Sequence, residues 1–257
     1  MISPAELDAA IVRHEPLQRT SEPPASTAEA YAIQRAFVAK RSARTGEAIA
    51  GYKVAFTSRE SQAAVATGGY HSGILLDSQI LTSGANVRLD ERFTPILEVE
   101  LAFRIVEPFD GDTPLHEVVR RTEIGAAIEM PESRFANWFG GEYPALSVTE
   151  AVSDDCLAGL VITGERWTPT ADVDLSSVGA TLHHDGELVR QGSIALVVPS
   201  PIVVLSWLAG QLAERGDAFR EGQIVSSGTW TDTIPATPGK YVATFEAGIG
   251  DVSIEVE

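Results

Sequence analysis

Cysteine is almost missing from this chain: Cys156 is the single thiol in 257 residues. No intrachain disulfide can form, which fits a reducing compartment and leads to the expectation of a cytoplasmic protein. A free cysteine without activating neighbours behaves as a small apolar residue, so a core position is expected for Cys156. Cations are scarce as well, with 19 Lys and Arg against 36 Asp and Glu and a net charge of −17. There is no basic stripe to meet phosphates or anionic lipid, so neither nucleic acid nor a membrane surface is expected as a partner. Long apolar runs are absent too. The most apolar stretch, residues 194–209, is broken by Pro199-Ser200-Pro201 and falls short of the roughly 20 residues a membrane span needs. The opening Met-Ile-Ser-Pro-Ala-Glu-Leu-Asp carries acids and no cationic start, so no secretory signal is expected. Gly69-Tyr-His-Ser-Gly73 departs from the nucleophile-elbow pattern, and neither a dinucleotide fingerprint nor a phosphate-binding Gly-Lys-Ser/Thr occurs.

What is present is punctuation for a mixed fold. Ser3-Pro-Ala-Glu6 and Ser26-Thr-Ala-Glu29 read as capping boxes, each with a hydroxyl at the N-cap and Glu at N3. The second predicts a helix to Arg44 that stops at Gly46 and buries Ala30, Ile33, Phe37 and Val38. Residues 15–24 between them form a polar, Pro-containing linker. After Ala48 the pattern turns to strands, including a hairpin at His184-Asp185-Gly186-Glu187, where Asp-Gly favours a type I′ turn. Residues 194–209 read as a strand followed by a helix starting near Pro201. His183 and His184 fall on opposite strand faces of the hairpin and are expected to be exposed, and His14 is expected at the surface. No repeat or low-complexity tract is visible, and the length suits one well-filled domain with a small helical appendage.

Three carboxylates stand out. In Pro95-Ile-Leu-Glu-Val-Glu-Leu-Ala-Phe-Arg-Ile105 a period of two puts Leu97, Val99, Leu101, Phe103 and Ile105 on one face and Glu98 and Glu100 on the other. Same-face residues on a strand stand roughly 7 Å apart, close enough for both carboxylates to reach one cation. The strand pattern alone fits equally the wet face of an antiparallel strand. Glu129 ends the apolar run Ile124-Gly-Ala-Ala-Ile128 just before Met130-Pro131. It is costly to bury unless paired, protonated or metal-bound, and a strand end emerging into solvent at Pro131 stays open. Three carboxylates without a His or Cys cluster describe an oxygen-ligand site for Mg2+ or Mn2+ rather than Zn2+. Lys53, between Tyr52 and Val54, is either functional or a snorkelling side chain.

Taken in order, Gly51-Tyr-Lys53-Val-Ala-Phe-Thr57-Ser58, Glu98-Val-Glu100, Ile128-Glu129-Met-Pro-Glu-Ser133-Arg134 and Gly222-Gln-Ile-Val-Ser-Ser-Gly228 form a specific set. With Trp207-Leu-Ala on a late helix, it resembles the 2-oxopent-4-enoate hydratases and 4-oxalocrotonate decarboxylases of the fumarylacetoacetase-like superfamily. The resemblance implies an α/β fold: a fumarylacetoacetase C-terminal-like mixed β-sheet roll at residues 48–257, preceded by an N-terminal helical arm at residues 1–47. It implies Glu98, Glu100 and Glu129 as ligands of Mg2+ or Mn2+, and Lys53, Glu98 and Glu129 as catalytic residues. Substrate contacts are implied at Thr57, Ser58, His71, Arg134, Asp154 and Gly228, in a homo-oligomer acting on a small 2-oxo or 2-hydroxydienoic acid. The implied reaction is hydration of a 2-hydroxy-2,4-dienoate to a 4-hydroxy-2-oxo acid. Decarboxylation of the 4-oxalocrotonate type, or another 2-oxo acid reaction or ligand-binding role in a diverged member, is the alternative.

The chain also departs from that family. His71-Ser72-Gly73 stands where many of the hydratases carry an acidic residue, and Ser153-Asp154-Asp155-Cys156-Leu157 stands where the family runs Ala-Asp-Asn-Ala-Ser. Asp154 is kept, while Asp155 replaces an amide and Leu157 a hydroxyl. About two extra residues lie between Gly192 and Pro201. An imidazole can charge between pH 5 and 8, so if His71 lines the far end of the pocket, a substrate with a second carboxylate is expected to be preferred.

Overall fold

A computed structural model describes residues 2–19, 22–139 and 146–257. Helix α1 (Pro4–Arg13) opens on a reciprocal box in which the Glu6 backbone N–H donates to Ser3 Oγ and Glu6 Oε2 accepts from Ser3 N. In α2 (Thr27–Thr45), Ser26 caps Glu29 N, while the Glu29 carboxylate reaches one residue further back to Ala25 N, so that box is half reciprocal. Gly46 closes the helix at φ 77°, where a Cβ would be strained. Two residues of the connection between the helices, Thr20 and Ser21, lie outside the described residues.

The chain then runs through β1 (Ile49–Ala55), α3 (Arg59–Ala64), β2 (His71–Leu76), β3 (Ile80–Thr82), β4 (Ala85–Val87) and β5 (Ile96–Ile105). It continues through α4 (Leu115–Arg120), β6 (Thr122–Met130), α5 (Val148–Ser153), β7 (Leu160–Thr163) and β8 (Thr168–Pro169). The last part holds β9 (Gly179–His184), β10 (Glu187–Ser193), α6 (Pro201–Glu214), β11 (Ile224–Thr229), β12 (Ile234–Pro235), β13 (Gly239–Phe245) and β14 (Gly250–Val256). The larger sheet has the order β2-β1-β11-β5-β6-β7-β3, with β12 and β8 paired onto β5 and β6, and the smaller sheet has the order β10-β9-β13-β14-β4. Parallel pairs (β1 with β11, β3 with β7, β14 with β4) sit among antiparallel ones, which makes both sheets mixed.

The alternation on β5 does what its period predicts. Leu97, Val99, Leu101, Phe103 and Ile105 are all buried in the main core with Ile124, Ile128 and Ile162, each such side chain contributing about 1.5–3 kcal/mol on burial. The opposite face is covered too, because Ala102 and Ala127 pack with Leu75, Val161 and Ile224 in a second apolar cluster. Glu98 and Glu100 therefore do not lie on a wet face. Helices α1 and α2 lend Leu7, Ile33 and Phe37 to a third cluster with Leu76, Ile96 and Phe135. The hairpin turn has Asp185 at φ 49° and Gly186 at φ 86°, the left-handed pair of a type I′ turn.

Two sequence expectations differ. Residues 194–196 form a 3-10 turn, not a strand, because the β10 ladder ends at Ser193 and its hydroxyl caps Ala195 N. The helix after it starts at Pro201 with Ser200 as N-cap. His183 and His184 are both half-buried, not exposed, the His184 ring stacking on Tyr241 at 4.1 Å.

Candidate metal centre

Strand register assembles the centre. Glu98 on β5 lies directly opposite Glu129 on β6, Glu100 is two residues further along the same face opposite Ala127, and Lys53 sits on β1 beside Ser226 of β11. One carboxylate oxygen from each of Glu98, Glu100 and Glu129 falls within 4.8 Å of the others. Glu100 and Glu129 are each 1% exposed and Lys53 4%, while Glu98 is partly open to the cleft. The alanines and glycine that share this face (Ala102, Ala127, Gly125) leave room for long carboxylate side chains to converge.

At such separations two unit charges repel by about 3.5 kcal/mol at an effective dielectric near 20. The titration behaviour follows. Burial, then Glu129, pushes the Glu98 carboxyl up to about 7, against the pull of Lys53. Burial, then Glu129 and Glu98, holds Glu100 well above the usual carboxylate range. For Lys53, burial disfavours the ammonium, but Glu129 and Glu98 more than offset it and its pKa is raised. Ionised, the three carboxylates and Lys53 sum to about two unit negative charges in a nearly dry site, which a divalent cation would neutralise.

Hydrogen bonding leaves ligand atoms free for that cation. Glu100 spends Oε2 on the Ser226 hydroxyl and on Gly228 N–H at 2.8 Å. Lys53 Nζ stands 2.7 Å from Glu129 Oε1 and donates to the Cys156 carbonyl at 3.1 Å. That ion pair lacks the direction of a hydrogen bond, and neither buried oxygen of Glu129 has a hydrogen-bond donor among the described residues. Buried carboxylate oxygens without donors are rare and need a reason; a hard cation held by all three carboxylates supplies one. The residues present fit Mg2+ or Mn2+.

A cleft of about 100 Å³ opens over the cluster, lined by Lys53, Glu98, Glu100, Thr57, Gly228 and neighbouring residues. Gly228 stands at φ 107°, and a Cβ there would come within 2.0 Å of Thr57 Oγ1, so only glycine lets β11 present its amide to Glu100 beside Thr57. The cleft also collects Phe56, Ser61, Ile96, Pro131 and Thr229. The sequence reading missed these as pocket residues. Phe56 and Pro131 lie inside quoted motifs and Thr229 directly follows one, and that placement was the available signal.

Four of the expected substrate contacts lie elsewhere. Ser58 caps α3 through Ser61 N rather than lining the cleft. Arg134 is 1% exposed and committed to Asp154, with Nε 2.5 Å from Oδ1, and to the Ala158 carbonyl at 2.9 Å. Asp154 is shared with Ser133 Oγ and Arg134 N at 2.7 and 2.9 Å. This pair braces the 131–135 and 154–158 segments. His71 packs behind the cleft wall, with Nδ1 3.3 Å from Tyr31 Oη and Nε2 3.1 Å from Thr67 Oγ1. Burial, then the charge of Arg215, lowers its pKa, so the imidazole is neutral near pH 7.

The turn from Asp155 to Leu157 has three successive non-glycine residues in the left-handed region, at φ 55°, 49° and 64°, each sparsely populated and costly. Its carbonyl at Cys156 faces Lys53, its Asp155 Oδ1 accepts from Ile74 N at 2.8 Å, and Leu157 enters the cleft lining. Gly73, opposite Lys53 on β2, is required there because a Cβ would meet the Asp155 carbonyl at 2.4 Å. Cys156 itself is buried and fully covered.

No protein-family model matches the chain. It is 30% identical to a 4-oxalocrotonate decarboxylase of Pseudomonas putida over 257 residues, covering 98% of this chain and 92% of the relative. It is 29% identical to the 2-oxo-hept-4-ene-1,7-dioate hydratase of Escherichia coli over 251 residues, covering 96% and 94%. Among solved structures, the 4-oxalocrotonate decarboxylase from Pseudomonas putida G7, complexed with magnesium and adipate, superposes with a TM-score of 0.88 at 24% identity, covering 99% of this chain and 95% of that one. Fumarylacetoacetate hydrolase and related isomerase structures share the fold more distantly.

Proposed function

Since the chain belongs to the family of 2-oxo acid hydratases and 4-oxalocrotonate decarboxylases, we propose that it is a metal-dependent hydro-lyase that adds water to a 2-hydroxy-2,4-dienoate. Both activities of the family are lyase reactions, and both fit this centre. The observation that carries the reading is the convergence of Glu98, Glu100 and Glu129 around one cation, Lys53, at the floor of a cleft. In this reading the three carboxylates hold Mg2+ or Mn2+, metals also present in solved relatives of the fold. When bound, the metal supplies a Lewis acid toward the C1 carboxylate and C2 oxygen of the substrate.

The chain's own groups do the rest. Lys53, kept protonated by Glu129 and aimed by the Cys156 carbonyl, places a fixed positive charge beside the oxygen that gains charge as the dienolate forms. Ketonisation moves the proton from the C2 hydroxyl to C5 and leaves a conjugated 2-oxo-3-enoate. Water then adds at C4, its oxygen bonding to carbon and its proton reaching C3, to give the 4-hydroxy-2-oxo acid. The Thr57, Ser61 and Thr229 hydroxyls in the lining can orient that water, which favours hydration over loss of CO2. Gly228 acts through Glu100, and Arg134 and Asp154 act as positioning residues beneath the cleft. Residues 48–257 form the catalytic unit, and residues 1–47 an arm that braces it. We place the enzyme in the cytoplasm as a homo-oligomer. No helix among the described residues is long and apolar enough to cross a membrane.

Ultraviolet absorbance and CO2 release, followed with 2-hydroxypenta-2,4-dienoate and with 4-oxalocrotonate in Mg2+ or Mn2+, test the proposal. Loss of the dienoate chromophore without CO2 is expected. CO2 release from oxalocrotonate with no turnover of the dienoate would replace hydratase by decarboxylase.

A further inference from the structure

Beyond its metal-facing floor, the cleft is walled by Phe56, Ile96, Pro131 and Leu157. Phe56 and Leu157 pack beside the buried apolar cluster that contains Ile96. Both are bulky residues held at positive φ, 60° and 64°, an arrangement that for large side chains persists only where the surroundings impose it. Strain that turns two apolar side chains into a site is an observation about what the site receives.

Charge points the same way. Among the described lining residues Lys53 is the one cation, and Glu129 and the Cys156 carbonyl already engage it. Arg134 is committed to Asp154, and His71 lies behind the wall between Tyr31 and Thr67. The undescribed residues at 140–145 read Gly-Gly-Glu-Tyr-Pro-Ala and contain no Lys or Arg. A second carboxylate at the far end of the substrate would be partly desolvated in this cleft with no cation of its own to pair with, which is unfavourable.

Resting on the hydratase reading above, we infer that this chain selects 2-oxo and 2-hydroxydienoic acids whose tail is uncharged and apolar, with Phe56 and Leu157 as the residues that set this preference. The inference runs against the diacid preference expected from His71 and separates this chain from the diacid relatives it resembles.

Two six-carbon probes isolate the tail: 2-oxohexanoate, which ends in a methyl group, and 2-oxohexanedioate, which ends in a carboxylate. Calorimetric titration of the Mg2+-loaded protein with each is expected to show the monoacid binding at least tenfold tighter. Leu157→Arg, which puts a cation in the wall, is expected to reverse that order. Leu157→Ser, which keeps the wall neutral but removes its apolar surface, is expected to weaken the monoacid several-fold and leave the diacid unchanged. Equal or tighter binding of the diacid by the unaltered protein overturns the inference while leaving the hydratase reading intact. Failure of both acids to bind a protein that does bind Mg2+ overturns the 2-oxo acid reading, and the tail preference with it.

Discussion

Asp155→Asn should make the protein more stable at pH 8 and change it little at pH 4. The Asp155 carboxyl is 3% exposed, and burial pushes its pKa up to about 7 despite the hydrogen bond from Ile74 N and the charge of Arg134. In the unfolded chain it titrates near 3.9, so folding raises it by roughly 3 units, equivalent to about 4 kcal/mol. Because the folded value lies above the unfolded one, the native state binds the proton more tightly. The contribution of this one carboxyl to stability is therefore greatest below pH 4, falls as the unfolded carboxyl ionises, and stops falling above pH 7. Asparagine keeps the acceptor for Ile74 N, has nearly the same volume, and tolerates left-handed φ better than most residues, while removing the charge. The expected gain at pH 8 is about 2–4 kcal/mol, the upper figure being the full linkage value. Urea midpoints of both proteins at pH 4 and pH 8, with a chelator present, measure it. If the advantage of the variant at pH 8 exceeds that at pH 4 by less than about 0.5 kcal/mol, within ordinary surface-mutation scatter, Asp155 is ionised in the fold and the reasoning fails.

Glu98→Gln, Glu100→Gln and Glu129→Gln should each weaken Mn2+ binding by at least about tenfold, since one anionic oxygen ligand is lost at nearly constant volume. Calorimetry showing unchanged affinity in all three would remove the carboxylate cluster as the metal centre. Lys53→Met should lower kcat by about 100-fold or more, the scale of losing one preorganised electrostatic group, while Mn2+ affinity does not fall; near-normal turnover would make Lys53 structural. Gly228→Ala should destabilise the fold by more than about 1 kcal/mol, because it adds a clash with Thr57 to a left-handed backbone. An unchanged melting temperature would show that β11 can shift freely at this point.

The helix starts and the hairpin were legible because caps and turns are local. Ser3, Ser26, Gly46 and the Asp185-Gly186 pair act on backbone groups a few residues away, so the sequence window contains the whole interaction. The orientation of Glu98 and Glu100 was legible for the same reason, as was the burial of Leu97 to Ile105. Whether that carboxylate face was wet or dry was not, because Leu75, Val161 and Ile224 close it from distant strands. Arg134 and Asp154 illustrate the converse limit. Their residue types suit a substrate anion and its counter-charge, but these two residues, 20 positions apart in sequence, pair with each other. His71 was misplaced relative to the cleft because a neighbouring residue, Phe56, takes the wall position by adopting a backbone angle that no local pattern announces. The left-handed run at 155–157 has no glycine to reveal it.

The metal-facing carboxylates stand on β5 and β6, interior strands flanked by β11 on one side and β7 on the other. Amides in such ladders exchange with solvent deuterium only through the largest opening events a domain undergoes. The slowest-exchanging hydrogens of this molecule are therefore expected at Val99, Leu101 and Ile128, within two residues of the proposed ligands. Ions and substrate cannot wait for so rare an event. They must come and go across the cleft mouth, over a floor that stays still.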